Sequence, residues 1–270
     1  MKKKLAMMLM VSVMACTVLT GCGGTKETAA SASEGGMDLV YAVETGSAGE
    51  AVAAEKGFKT NSVASQADAL MEVASGTSDA AIIDLLMAGA MIGEGTSYPG
   101  LVHTDELTTE EYGVGCRKGS DLASYINAVF AESYADGSMK EIATTYGVQE
   151  ALVEQAAAEF TASASDSDVA YIQGKGSLIV GITEFEPMDY KDASGEWIGF
   201  DADMARMVAD KLGVEAQFVI IDWDNKSMEL ESKNIDVVWN GMTLTNEVRE
   251  AMECTNPYCN NAQVIVVPGK

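Results

Sequence analysis

The chain has 270 residues, with 41 acidic against 17 basic side chains and a formal net charge of −24. That balance excludes nucleic acid, and docking on an anionic membrane face, as modes of action. The single histidine, His103, has no cluster of cysteines or carboxylates beside it, so neither a metal site nor a catalytic triad is expected, and no cofactor.

Lysines at positions 2–4, a mostly apolar run over 5–20 and then Leu19-Thr20-Gly21-Cys22 read as a bacterial lipoprotein signal. Residues 1–21 would be removed, and Cys22 would carry the lipid. The apolar run is short for a bilayer span. Residues 22–37, small and polar, read as a tether. Cys116, Cys254 and Cys259 remain in the body, and the sequence leaves all three pairings open.

The body opens with a strand over Leu39–Val43. Ser47, with Glu50 three residues on, predicts a capped helix. A strand over Phe58–Val63 and a helix capped by Ser65 repeat the unit, with Ala67, Leu70, Met71 and Ala74 on the apolar face. Asp79–Ile83 is a third strand, and Asp84 stands where it gives way to a helix over 85–92. Such alternation predicts a mainly parallel α/β sheet. His103 falls in a segment, PGLVHTDEL, that reads as surface loop. Tyr112–Cys116 is a short strand. Ser120 caps a helix carrying Leu122, Tyr125, Ile126, Val129 and Phe130 on one side, which Gly137 closes. Ser138 and Glu141 then cap a shorter helix ended by Gly147.

Residues 148–173 read as a connection, in which QEALVEQAAAEF has helical composition and SASDSDS is polar linker. The run Leu178–Val180 with Ile182 is a strand, followed by a loop carrying Glu184, Phe185 and Pro187 and a turn at Ser194–Gly195. A helix over 202–212 buries Met204, Met207, Val208 and Leu212. Val214–Ile221, Ile235–Trp239 and Gln263–Val267 complete the strands.

The block LIVGITEFEPMDYKDASGEWIGFD, starting at Leu178, resembles the first strand, binding loop and first helix of solute-binding proteins serving amino-acid ABC transporters. The segment EYGVGCRKGSDLASYINAVFAESYADGSMKEIATTYG, starting at Glu111, resembles the end of that family. What comes last there comes first here. The resemblance therefore implies a circularly permuted, two-lobed α/β fold of the type II periplasmic-binding class. One lobe would be 38–106 with the terminal strand 264–270. The other would join 107–147 to 174–263, with 148–173 bridging the old ends. The lobes would hinge at the terminal strand and at the run near 107–115.

The same resemblance implies an extracytoplasmic receptor, lipid-anchored and monomeric, that binds a polar amino acid and delivers it to a permease. Two anion cradles are expected, Gly46-Ser47-Ala48 and Gly241-Met242-Thr243. Positions matching Ser47, Gly241 and Thr243 contact the ligand's backbone groups in the family, and the acid matching Asp84 holds the ammonium. Phe185 and Trp223 match aromatic walls. Thr183, Glu184 and Glu44 would read the side chain. The family's carboxylate-clamping arginine falls on Val248, with Arg249 one position later, a swing of about 100° on a helical turn. The rival reading is an enzyme on this scaffold, resembling dehydratases of prephenate-like acids, with Glu184 or Glu44 as general acid. A sensor without transport is a further alternative.

Overall fold

The computed structural model describes residues 38–162 and 167–270. The signal segment, Cys22, the tether and residues 163–166 of the connection lie outside the described residues.

The first half alternates strand and helix: β1 (Val40–Glu44), α1 (Ala48–Lys56), β2 (Lys59–Val63), α2 (Gln66–Ser75), β3 (Ala80–Asp84) and α3 (Leu85–Met91), then β4 (Leu101–Glu106). β2, β1 and β3 pair in parallel, as right-handed strand–helix–strand units require. The Ser47 hydroxyl accepts the Glu50 N–H at 3.1 Å. Glu50 in turn accepts from the Gly46 N–H at 2.8 Å, so the reciprocal bond closes one residue before the cap. In α2 the buried face is Gln66, Ala69, Leu70 and Val73. Met71 is 55% exposed, so the expected stripe is rotated. The cause is Gln66, which turns inward to bond Asp84 and takes the first buried position.

The chain then builds a second sheet. β5 (Glu110–Cys116), α4 (Leu122–Asp136) and α5 (Ser138–Thr145) precede the connection. After it come α6 (Asp168–Lys175), β6 (Ser177–Ile182), the small hairpin β7 (Tyr190–Lys191) and β8 (Trp197–Ile198), α7 (Phe200–Leu212) and β9 (Glu215–Ile220). A 3-10 turn over Trp223–Asn225 leads to α8 (Lys226–Glu231), β10 (Val237–Thr243), α9 (Asn246–Ala251), β11 (Glu253–Cys254), β12 (Cys259–Asn261) and β13 (Gln263–Pro268). The second sheet has the order β11-β5-β10-β6-β9, with β12 also on β5. Its core is aromatic, with Phe130 edge-on to Trp239 and to Tyr258 at 5.6 and 5.7 Å between ring centres.

β13 returns to the first sheet and lies antiparallel between β3 and β4, with Gln263 opposite Asp84. That sheet is therefore mixed rather than mainly parallel. The segment around His103, expected as loop, is strand β4 because β13 supplies its partner; His103 lies opposite Val266 and is exposed. The two crossings between sheets run side by side. Leu107 N–H donates to the Gln263 carbonyl at 2.7 Å, and Gln263 N–H to the Thr108 hydroxyl at 2.9 Å.

The connection differs from expectation at both ends. QEALVEQAAAEF forms no helix: Leu152 bridges Cys259, Val153 N–H donates to the Tyr258 carbonyl and Gln155 to that of Pro257. Pairing along β12 wins over the weak preference of alanine and glutamate for helix. From Asp168 the segment read as linker is α6, capped by Ser167. Arg117 holds it, bonding Asp168 at 3.0 Å and Asp236 at 3.2 Å, while Lys175 also pairs with Asp236. Cys116, Cys254 and Cys259 are all free thiols, although Cys254 lies opposite Gly115, next to Cys116.

Candidate functional site

A cleft of about 640 Å³ opens between the two sheets. On one side, the parallel neighbours β1 and β3 end in Glu44 and Asp84, so both carboxylates emerge at the same sheet edge. The loop after β1 adds Gly46, Ser47 and Ala48, and α2 adds Gln66. On the other side, β10 contributes Asn240, Gly241, Met242 and Thr243, α9 contributes Val248, the 3-10 turn contributes Trp223 and the start of α8 contributes Lys226.

Asp84 is 4% exposed and sits in a ring of donors. Tyr112 O–H donates to it at 2.7 Å and Gln263 Nε2 at 3.0 Å; Asn261 and Gln66 also donate through their amides. Burial and the nearby Glu110 carboxylate nonetheless raise its pKa to about 7, against the pull of these hydrogen bonds. Glu44 is 3% exposed. Burial first, then the charge of Asp84, raises its pKa to about 8. Its Oε1 has no hydrogen-bond partner among the described residues, and neither does Oδ1 of Asn240. The floor thus presents unsatisfied acceptors, which suit an ammonium or another N–H donor.

Of the residues singled out in the sequence, Glu44, Ser47, Ala48, Asp84, Trp223, Gly241 and Thr243 line this cleft together. Four others do not. Phe185 is 2% exposed and lies beneath Gly241, where an added Cβ would come 2.4 Å from its Cε1; its ring meets Tyr112 edge-on at 6.3 Å. It supports the cleft from behind instead of forming its wall. Thr183 stands one layer back and accepts from Asn240 Nδ2 at 2.8 Å. Glu184 is exposed outside the cleft. Arg249 is exposed as well, and Val248 takes the inward position. One residue of helical rotation carries the guanidinium away.

The second anion cradle is also different in kind. Gly241, Met242 and Thr243 close strand β10, and α9 begins only at Asn246, capped by the Thr245 hydroxyl. The Gly241 N–H points inward and donates to Asp201 Oδ2 at 2.7 Å, an oxygen that also accepts from Tyr258 O–H. The Thr243 hydroxyl donates to Glu110 at 3.0 Å. Gln66, Asn240 and Lys226 are among the cleft residues that the sequence did not single out. Only Lys226 carried a signal, being the one cation just after the expected Trp223 wall.

Among the described residues no group of three or more histidines, cysteines or carboxylates is arranged to hold a metal ion. No described helix is long and apolar enough to cross a membrane.

Residues 178–270 match the family of bacterial extracellular solute-binding proteins, family 3. The L-cystine-binding protein TcyJ of Escherichia coli (strain K12) is 32% identical over 100 residues, covering 36% of this chain and 38% of that protein. The cyclohexadienyl dehydratase of Pseudomonas aeruginosa is 27% identical over 101 residues, covering 37% of this chain and 38% of the enzyme. Among solved structures, the arginine-bound domain 1 of TmArgBP is 33% identical, covering 36% of this chain and 84% of that domain, with a TM-score of 0.32, and 0.33 for its Phe57Trp variant. The chain spans under two fifths of the length of these curated relatives. The likeness to the bacterial extracellular solute-binding proteins, family 3, is thus a likeness of residues 178–270.

Proposed function

We propose that this chain is an extracytoplasmic receptor that binds a polar amino acid between its two sheets and delivers it to an ABC transporter permease. The observation that carries the reading is the pairing of Glu44 and Asp84 on one side of a single cleft with Gly241 and Thr243 on the other. The carboxylates would take the ligand ammonium, and the backbone around Ser47 and Ala48, at the start of α1, its carboxylate. Domain closure about the paired crossings would enclose the ligand. The lipid anchor at Cys22 and a monomeric state belong to the same proposal.

The permuted order belongs to it too. Its support is that the family match falls in 178–270 while β13, within that segment, inserts between β3 and β4 from the beginning of the body.

The test is thermal unfolding of the chain against the common amino acids. A ligand at about a hundredfold excess over Kd adds roughly 2.7 kcal/mol of stability. Asp84→Ala is expected to abolish that gain; the same gain in the variant removes Asp84 from the site. A second reading, dehydration of a prephenate-like acid, draws support from Glu44, whose raised pKa keeps a proton available in the cleft near neutrality. Incubation with prephenate or arogenate separates the two: a binder returns the acid unchanged, and an enzyme forms the aromatic product.

A further inference from the structure

Beside Glu44 the cleft contains a second set of contacts suited to a cation, and the protein fills it itself. Lys226 sends its ammonium across the opening to the Gly46 carbonyl at 3.0 Å. It also donates to the Trp223 carbonyl at 3.1 Å and lies 5.0 Å from the centre of the Trp223 ring. Glu44, Asp224, Glu247 and Asp222 face it. Two carbonyl oxygens, an aromatic face and surrounding carboxylates are what an alkylammonium or guanidinium seeks. Lys226 is the only cation among the described residues lining the cleft, against five carboxylates.

The sheets' loops also meet here. Gly46 has φ of 72°, and a Cβ on it would come 2.7 Å from the Asp224 Cα. The carbonyl that receives Lys226 is therefore presented by a left-handed turn pressed against the opposite side. Only a residue without a side chain fits.

We propose that Lys226 determines specificity, its ammonium occupying the cation position on Trp223 and so barring amino acids whose side chains end in a cation. The same contact braces the closed cleft through Gly46. A neutral polar side chain meets no like charge there and is admitted. This inference rests on reading the cleft as an amino-acid site, and it names which amino acids that site refuses.

The experiment is calorimetric titration of the full chain with arginine, lysine and glutamine. It compares the natural protein with Lys226→Met, Lys226→Gln and Lys226→Arg. Removing the charge is expected to tighten arginine and lysine at least tenfold relative to glutamine, in both the methionine and glutamine variants. Lys226→Arg is expected to keep the natural ranking. An unchanged arginine-to-glutamine ratio in both neutral variants overturns the proposal while leaving an amino-acid site intact. Absence of binding by any amino acid to any of the proteins overturns the amino-acid site itself, and this inference with it. Small-angle scattering gives a reading without ligand. The neutral variants are expected to show a larger radius of gyration than the natural protein, and an equal radius refutes the brace.

Discussion

Replacing Glu44 with glutamine removes one titrating carboxyl from the cleft floor at nearly constant volume. Below the ordinary value of 4.5 the native and unfolded chains both hold this proton. Between 4.5 and about 8 the native chain keeps it and the unfolded chain has lost it, so native stability falls as pH rises through that window. At about 1.4 kcal/mol per tenfold change, the window corresponds to roughly 5 kcal/mol. Glutamine does not titrate, so Glu44→Gln is expected to gain on the natural protein by that order between pH 5 and pH 8. Urea unfolding of both proteins at several pH values reads the difference directly. A difference that stays constant across the window, within about 1 kcal/mol, would refute the account of Glu44 as a carboxyl neutralised by burial.

Three further outcomes follow from named contacts. Gly241→Ala drives a methyl into the Phe185 ring at a φ of 55°, and is expected to cost about 2 kcal/mol or more in chemical unfolding. Arg249→Ala is expected to leave amino-acid affinity within about twofold, because Val248 and not Arg249 lines the cleft; a tenfold loss would return the guanidinium to the site. Arg117→Met leaves Asp168 without its ion-pair partner and Asp236 with Lys175 and the Ile179 N–H, and is expected to cost about 3–5 kcal/mol by the same unfolding assay.

Much of the first sheet could be read locally. Ser47 and Ser65 mark their helices because a hydroxyl before an amphipathic run has one common use, accepting an N–H of the first turn. Glu44 and Asp84 were legible as acids at strand ends, where side chains reach the sheet edge. β4 was not legible, since its residues are largely polar and its partner is β13, with Thr104 bonding Ile265 161 positions away. The same limit hid Lys226 and Gln66. A lysine opening a helix and a glutamine after a cap both look solvated until the opposite side of the cleft is in place. Phe185 shows the complementary failure: the residue was found, but only coordinates tell which side of Gly241 its ring occupies. In QEALVEQAAAEF, composition pointed to helix and a distant strand edge decided otherwise.

The donors around Asp84 include Asn261 and Gln263, which belong to the very strands that carry the chain from one sheet to the other. The acid at the bottom of the pocket is thus bolted to the pivot. If the cleft takes an amino acid as proposed, pairing that acid alters the forces on the joint with no intervening residue, and occupancy and bending become mechanically one event.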